Sequence, residues 1–177
     1  MPTRCEGFTL FELLVSILLI AVLSAVAIPS FYSSLAGQRQ IVEINALFHA
    51  VHLARKESIM RRKVVSICPS LDSESCSPGR DWSSGWLMFE NKDRDSPPAI
   101  DDGEPILQKH PIAENIHVKA NRKGFTFRAT FLRATNGTFV ICDPNDRITP
   151  KALVISYTGR PRVARHSPKG ELYSCAD

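Results

Sequence analysis

Residues 8–28 read FTLFELLVSILLIAVLSAVAI, an apolar run of 21 residues with one charge, Glu12. Wound as a helix, such a run is about 31 Å long and matches one bilayer hydrocarbon core. A secretory signal peptide has a shorter apolar core, followed by a small-x-small cleavage site. Here the small residue, Gly7, precedes the run, so a cut after Gly7 leaves the whole span on the mature chain. A carboxylate at membrane depth costs about 2.5–3.5 kcal/mol, so Glu12 needs a partner. A new amine at Phe8 lies about one helical turn away, on the same chain or on a neighbouring subunit. The alternative is a glutamate that snorkels to the membrane surface from near the helix end.

The 177 residues leave room for this helix and one ordinary domain. With 44% hydrophobic and 23% charged residues, the chain is not a disordered, collagen-like or polytopic membrane protein. Pro29 removes one helical hydrogen bond and predicts a local kink. Beyond it Ile41, Ile44, Phe48 and Val51 recur at helical spacing, with Leu47, Ala54 and Ser58 alongside. Arg39, Glu43, Arg55 and Glu57 fill the other faces. This predicts one long helix over residues 8–62. Residues 8–28 form its transmembrane or filament-core half, and residues 29–63 its amphipathic half.

After Lys63 the period changes to that of strands. Segments 64–68, 85–91, 106–110, 115–119, 124–133, 138–142, 152–157 and 160–165 are candidates, the third and fourth weaker. Asn136 and Gly137 read as a two-residue hairpin turn leading into 138–142. Thr158 and Gly159 mark the last hairpin. The expected fold is α+β: a long N-terminal helix packed on an antiparallel head of about seven strands, residues 64–177.

Leaving aside Cys5, four cysteines remain, an even number that suits two disulfides in a chain leaving the cytosol. Cys68 and Cys76 bracket a polar loop; Cys142 ends a strand and Cys175 lies near the C-terminus. Four cysteines permit three pairings, and the one expected is Cys68–Cys76 with Cys142–Cys175. Their spacing fits no common zinc frame. The chain has no G-x-S-x-G, Walker loop, G-x-G-x-x-G or H-E-x-x-H, and no enzyme activity, cofactor or metal is expected. His49 and His52 are three apart on the helix and read as one packed and one solvated histidine. Residues 93–104 are rich in oxygen ligands, but Pro97 and Pro98 break an EF-hand spacing, so a solvated loop is expected.

Gly7, Phe8, Thr9, Leu10, Phe11 and Glu12, followed by the apolar run and Pro29, resemble the type III signal of type IV pilins and pseudopilins. Phe11 stands where Ile is more usual, and the leader of residues 1–7 is only weakly basic, Arg4 being opposed by Glu6. The resemblance implies that a prepilin peptidase cuts between Gly7 and Phe8 and methylates the Phe8 amine. It implies that Glu12 guides assembly with other pilins. It also implies a single-pass protein of the bacterial inner membrane, with its head in the periplasm and later in an extracellular pilus. The head has its own resemblance. CPSLDSESC, then DWSSGWLMFENKDRD with Trp82, Gly85 and Trp86, then a late TGR, is similar to minor pilins of the GspH/FimT family. That implies a head of antiparallel sheets.

Charge is unevenly spread. Residues 81–104 hold seven acids and two bases, a local charge of −5. Residues 119–133 carry Lys119, Arg122, Lys123, Arg128 and Arg133 and no acid, and the C-terminal stretch adds Lys151, Arg160, Arg162, Arg165 and Lys169. On one strand, Arg160 and Arg162 point to the same side about 6.6 Å apart. Pro161 between them suits an edge strand, and Gly159 suits a tight turn. Two guanidiniums so placed bind phosphate oxygens, with Arg165, Lys169, Arg122 and Lys123 extending the path. The alternative is that they only solubilise an edge strand and block sheet-to-sheet pairing. Gly159, Arg160, Pro161 and Arg162 are similar to the G-R-x-R element of FimT-type pilins, which implies DNA as a partner, bound through its backbone without regard to sequence, in natural transformation. The rival expectations are a structural, FimU-like minor pilin of a priming complex and a GspH-like pseudopilin of type II secretion.

Overall fold

Helix α1 (Leu10–Arg61) starts at a reciprocal cap. Glu12 N donates to Thr9 Oγ1 at 3.3 Å, and Thr9 N donates back to Glu12 Oε2 at 3.1 Å. Thr-x-x-Glu is the capping-box spacing, so two backbone donors that the first turn leaves unpaired are satisfied. The computed structural model describes residues 7–129 and 134–175; Cys5 and the rest of 1–6, and Arg133, lie outside that range. The chain divides into two compact units, residues 1–35 and 36–177. In the first, α1 is long and apolar enough to cross a membrane, with a mean hydropathy of 2.7 over its most apolar window. Pro29 lies inside this helix.

Among the described residues, the second unit contains the remainder of α1 and eight strands. They are β1 (Val65–Pro69), β2 (Gly85–Glu90), β3 (Ile106–Pro111), β4 (His117–Ala120), β5 (Phe125–Phe127), β6 (Gly137–Cys142), β7 (Lys151–Ile155) and β8 (Pro161–Ala164). They form two antiparallel four-stranded sheets, in the orders β3-β2-β1-β5 and β4-β6-β7-β8. Long helix and antiparallel sheets together make the α+β class.

One core joins helix and sheets. Leu47, Val51 and Ala54 meet Ile67, Trp86, Met88 and Phe125 of the first sheet and Val118, Phe139, Ile141 and Leu153 of the second. Strand alternation sends Cys68, Leu87 and Phe89 to the other face of the first sheet, where Ile100 and Cys76 cover them. The buried face of α1 runs Ala36, Gln40, Glu43, Ile44, Leu47, Ala50, Val51, Ala54, Ser58. This corrects the sequence reading in two places. Ile41 is 41% exposed, and Glu43, placed off the apolar stripe, is 2% exposed. The reason is a set of polar partners distant in sequence. Glu43 Oε2 pairs with His110 Nε2 at 2.9 Å, and Glu43 Oε1 accepts from Ala113 N at 2.9 Å. One turn earlier, Gln40 Nε2 donates to the carbonyls of Ile141 and Thr149, both at 3.0 Å. Helical periodicity sees apolar spacing and is blind to such anchors.

A second correction concerns Asn136 and Gly137. No hairpin joins the flanking strands, because β5 pairs with β1 in the first sheet while β6 pairs with β4 and β7 in the second. Gly137 opens β6 for want of space: a Cβ there would lie 2.6 Å from Asn121 Oδ1 and 2.8 Å from the Phe125 ring. Of the strand expected over 124–133, the described residues form β5 at Phe125–Phe127, and residues 130–133 lie outside the described range. Thr135 N donates to Thr126 O at 2.9 Å.

Candidate functional site

The last hairpin, β7–β8, is built by its loop. Ser156 N donates to Arg160 O at 3.0 Å, and Gly159 N donates to Ser156 O at 2.8 Å. Tyr157, Thr158 and Gly159 thus form a three-residue loop, with Gly159 at φ 72° in the position where such hairpins need a left-handed residue. Side chains stiffen it: Arg160 N donates to Ser156 Oγ at 3.1 Å, and Ser156 Oγ meets Thr158 Oγ1 at 2.9 Å. Ala134 N donates to the Tyr157 carbonyl at 3.1 Å, and buried Gly159 sits against Phe127 and Ala134.

Because β8 is an edge strand, its side chains meet solvent. Arg160 and Arg162 are exposed and lie two residues apart across Pro161; Arg160 closes the loop opposite Ser156, and Arg162, on β8, pairs with Val154. Among the described residues neither guanidinium is in an ion pair. A Gly159→Ala substitution is expected to cost about 1–2 kcal/mol, because a left-handed Cβ is strained and this one would also press on Ala134 at 3.1 Å. Thermal unfolding checks it; a melt unchanged from wild type would refute the loop as described.

Other basic residues gather at the same end of the second sheet. Gly137, Ile155 and Pro161 lie abreast across β6, β7 and β8, and Asn121 N donates to Thr138 O at 3.1 Å. The loop bearing Arg122 and Lys123, which follows the edge strand β4, therefore lies at the same end of this sheet as Arg160, with β6 and β7 between them. Arg122 is partly engaged, its Nε donating to Asn136 O at 3.1 Å. Arg80, Arg122 and Lys123 line a recess of about 290 Å³ whose other wall is Ser96, Pro97 and Pro98. Sequence reasoning missed Arg80, which stands alone beside the acid-rich segment; it also lines a second groove, of about 760 Å³, with Lys119 and Tyr173.

Arg165 and Lys169 are carried away from the loop, past the far end of β8. There Ser167 N donates to Glu171 O and Gly170 N to Ser167 O, so a small turn presents Lys169. Cys142 is bonded to Cys175, which ties this tail to the end of β6, and Cys68 is bonded to Cys76. Lys119 Nζ donates to Cys175 O at 3.0 Å.

The acids occupy a loop on the first sheet. Carboxylate oxygens of Asp93, Asp95 and Asp101 lie within 4.8 Å of one another. Burial, reinforced by the charge of Asp93, pushes the Asp95 and Asp101 carboxyls above their ordinary values. Asn91 Nδ2 donates to Asp95 Oδ1 at 2.8 Å and to Ser66 Oγ at 3.1 Å, which fastens the loop to β1.

Comparison with known proteins bears on both units. The family model of the type II transport protein GspH matches residues 43–159, and that of the prokaryotic N-terminal methylation motif matches residues 2–28. Arg160 and everything after it lie beyond the GspH match. No curated protein matches the chain significantly. Among solved structures, the type IV minor pilin FimU of Pseudomonas aeruginosa is similar at 24% identity and a TM-score of 0.51, over 72% of this chain and 87% of that one. The minor pseudopilin EpsH of the Vibrio cholerae type 2 secretion system is similar at 9% identity and a TM-score of 0.53, over 71% and 96%. At these identities the likeness establishes the fold.

Proposed function

The chain belongs to the GspH family, as a minor pilin or pseudopilin with an N-terminal methylation motif, and on that premise we propose that it captures extracellular DNA for natural transformation. The binding surface is the β7–β8 hairpin, with Arg160 and Arg162 at its centre. Arg122 and Lys123 flank it, and Arg165 and Lys169 continue the basic edge. A peptidase cut after Gly7 and methylation of Phe8 would mature the chain. Glu12 would then guide its packing among other pilins, from a single-pass position in the inner membrane with the head in the periplasm. The observation that carries the reading is the exposed Arg160–Arg162 pair. Its guanidiniums are free of internal ion pairs among the described residues; Arg160 is exposed where the braced loop ends, with its N–H held by Ser156 Oγ, and Arg162 is exposed on the edge strand β8. Guanidiniums bind phosphate oxygens bidentately, and a phosphate-only surface reads no base sequence.

The test is a gel-shift or anisotropy titration of the full chain in neutral detergent. Replacing both arginines, Arg160→Gln with Arg162→Gln, is expected to abolish binding at low salt while near-ultraviolet circular dichroism of buried Trp82 and Trp86 stays unchanged. Binding that survives the double substitution would overturn the site.

A second reading has its own observation. Val163, on the same strand, is 49% exposed, and exposed apolar and Arg side chains suit a contact with another pilin. In a deletion strain, loss of DNA uptake with pili intact favours capture; loss of both favours a structural role.

A further inference from the structure

We propose that Tyr157 is a stacking platform for an unpaired base, so that the hairpin takes single-stranded DNA by its bases and duplex DNA by its phosphates alone. This rests on the DNA reading above and extends it to a specificity residue. Tyr157 is 60% exposed at the first position of the loop, although its phenol ring is large enough to fill a core site. Among the described residues its ring has no aromatic partner. Its backbone, by contrast, is held. The Tyr157 carbonyl accepts from Ala134 N, Ser156 is paired with Arg160 on either side of the loop, and Gly159 is pressed onto Phe127 and Ala134.

A ring on a fixed backbone loses little freedom when a base stacks on it, which is the condition under which an aromatic side chain binds well. Three residues on, Arg160 supplies the phosphate contact that a stacked nucleotide needs beside its base. Paired aromatic and cationic groups are how surfaces hold single strands without sequence preference, since every base has a π-face. In a duplex those faces are already covered by neighbouring bases. The ring then has nothing to stack on, and only the guanidiniums act.

The experiment titrates three probes, a thymidine oligonucleotide, a duplex and an oligonucleotide with abasic sugars, against the full wild-type, Tyr157→Ala and Tyr157→Phe chains in neutral detergent at fixed salt. Tyr157→Ala is expected to weaken the thymidine oligonucleotide about tenfold and the duplex less than twofold. Tyr157→Phe should retain wild-type affinity. The abasic strand should bind wild type about as weakly as the thymidine strand binds Tyr157→Ala. If Tyr157→Ala leaves the thymidine strand unaffected, or weakens it no more than the duplex, the platform is overturned while the DNA reading stands. If the wild-type chain binds neither probe at low salt, both fall.

Discussion

Replacing Glu43 by alanine is expected to lower stability by about 3 kcal/mol, more than any exposed substitution in the chain. Glu43 is 2% exposed and serves two partners at once, His110 Nε2 and Ala113 N. Its removal strands both and leaves a void beside His110, whose ring stacks on Trp86 at 5.1 Å. For a chain of this size that loss is about 6–12 °C in melting temperature. Glu43→Gln keeps the shape and one acceptor and should cost markedly less. The control is Glu57→Ala, which breaks an ion pair with half-exposed Arg61 and should cost under about 1 kcal/mol. A Glu43→Ala melt within a degree of wild type would show that α1 is not fastened to β3 through this carboxylate.

DNA affinity should depend steeply on salt. If the hairpin and its flanks neutralise about four phosphates, log K falls with log salt at a slope near −3.6 on duplex DNA. Between about 50 and about 200 mM salt that is a loss of about a hundredfold. Each phosphate-contacting arginine removed should flatten the slope by about 0.9, so Arg160→Gln and Arg162→Gln are expected to act alike and to weaken all sequences equally. Asp143 offers a contrast. It holds Arg147 through two carboxylate contacts, at 2.6 and 2.8 Å, so that arginine is committed within the fold, and Arg147→Gln should leave the slope unchanged. A slope near zero, or one that does not respond to Arg160, would remove phosphate neutralisation as the source of binding.

The two tests probe opposite kinds of residue. Glu43 was read from the sequence as lying off the apolar stripe and is a buried anchor, because its partners lie 67 and 70 residues further along the chain. Arg160 and Arg162 were read as an exposed pair, and the structure exposes them. The difference is range. The hairpin is made by residues within a few positions of one another, and Gly159, Pro161 and the alternating arginines all act locally. Asn136 and Gly137 failed as a hairpin signal although the dipeptide is a strong one. Phe125 and Phe127 were claimed by β1, and nothing near residue 136 records that.

The acidic and basic segments show the same division. Their separation along the chain is plain in composition. That Pro97 and Pro98, within the acid-rich stretch, wall the recess lined by Arg122 and Lys123 is visible only once the loops are packed. Arg80 joins that recess for the same reason, and no feature of its sequence neighbours marks it.

By itself the amino-acid order determined the apolar run, the cap at Thr9 and Glu12, the α+β class and the final hairpin, since each follows from side-chain periodicity or backbone preference over a few residues. Tertiary structure alone decided which strands share a sheet, why Glu43 and Gln40 face inward, and which basic loops lie at the same end of the second sheet. Those outcomes depend on hydrogen bonds and close contacts between segments far apart in the chain, and local spacing carries no record of a partner that distant.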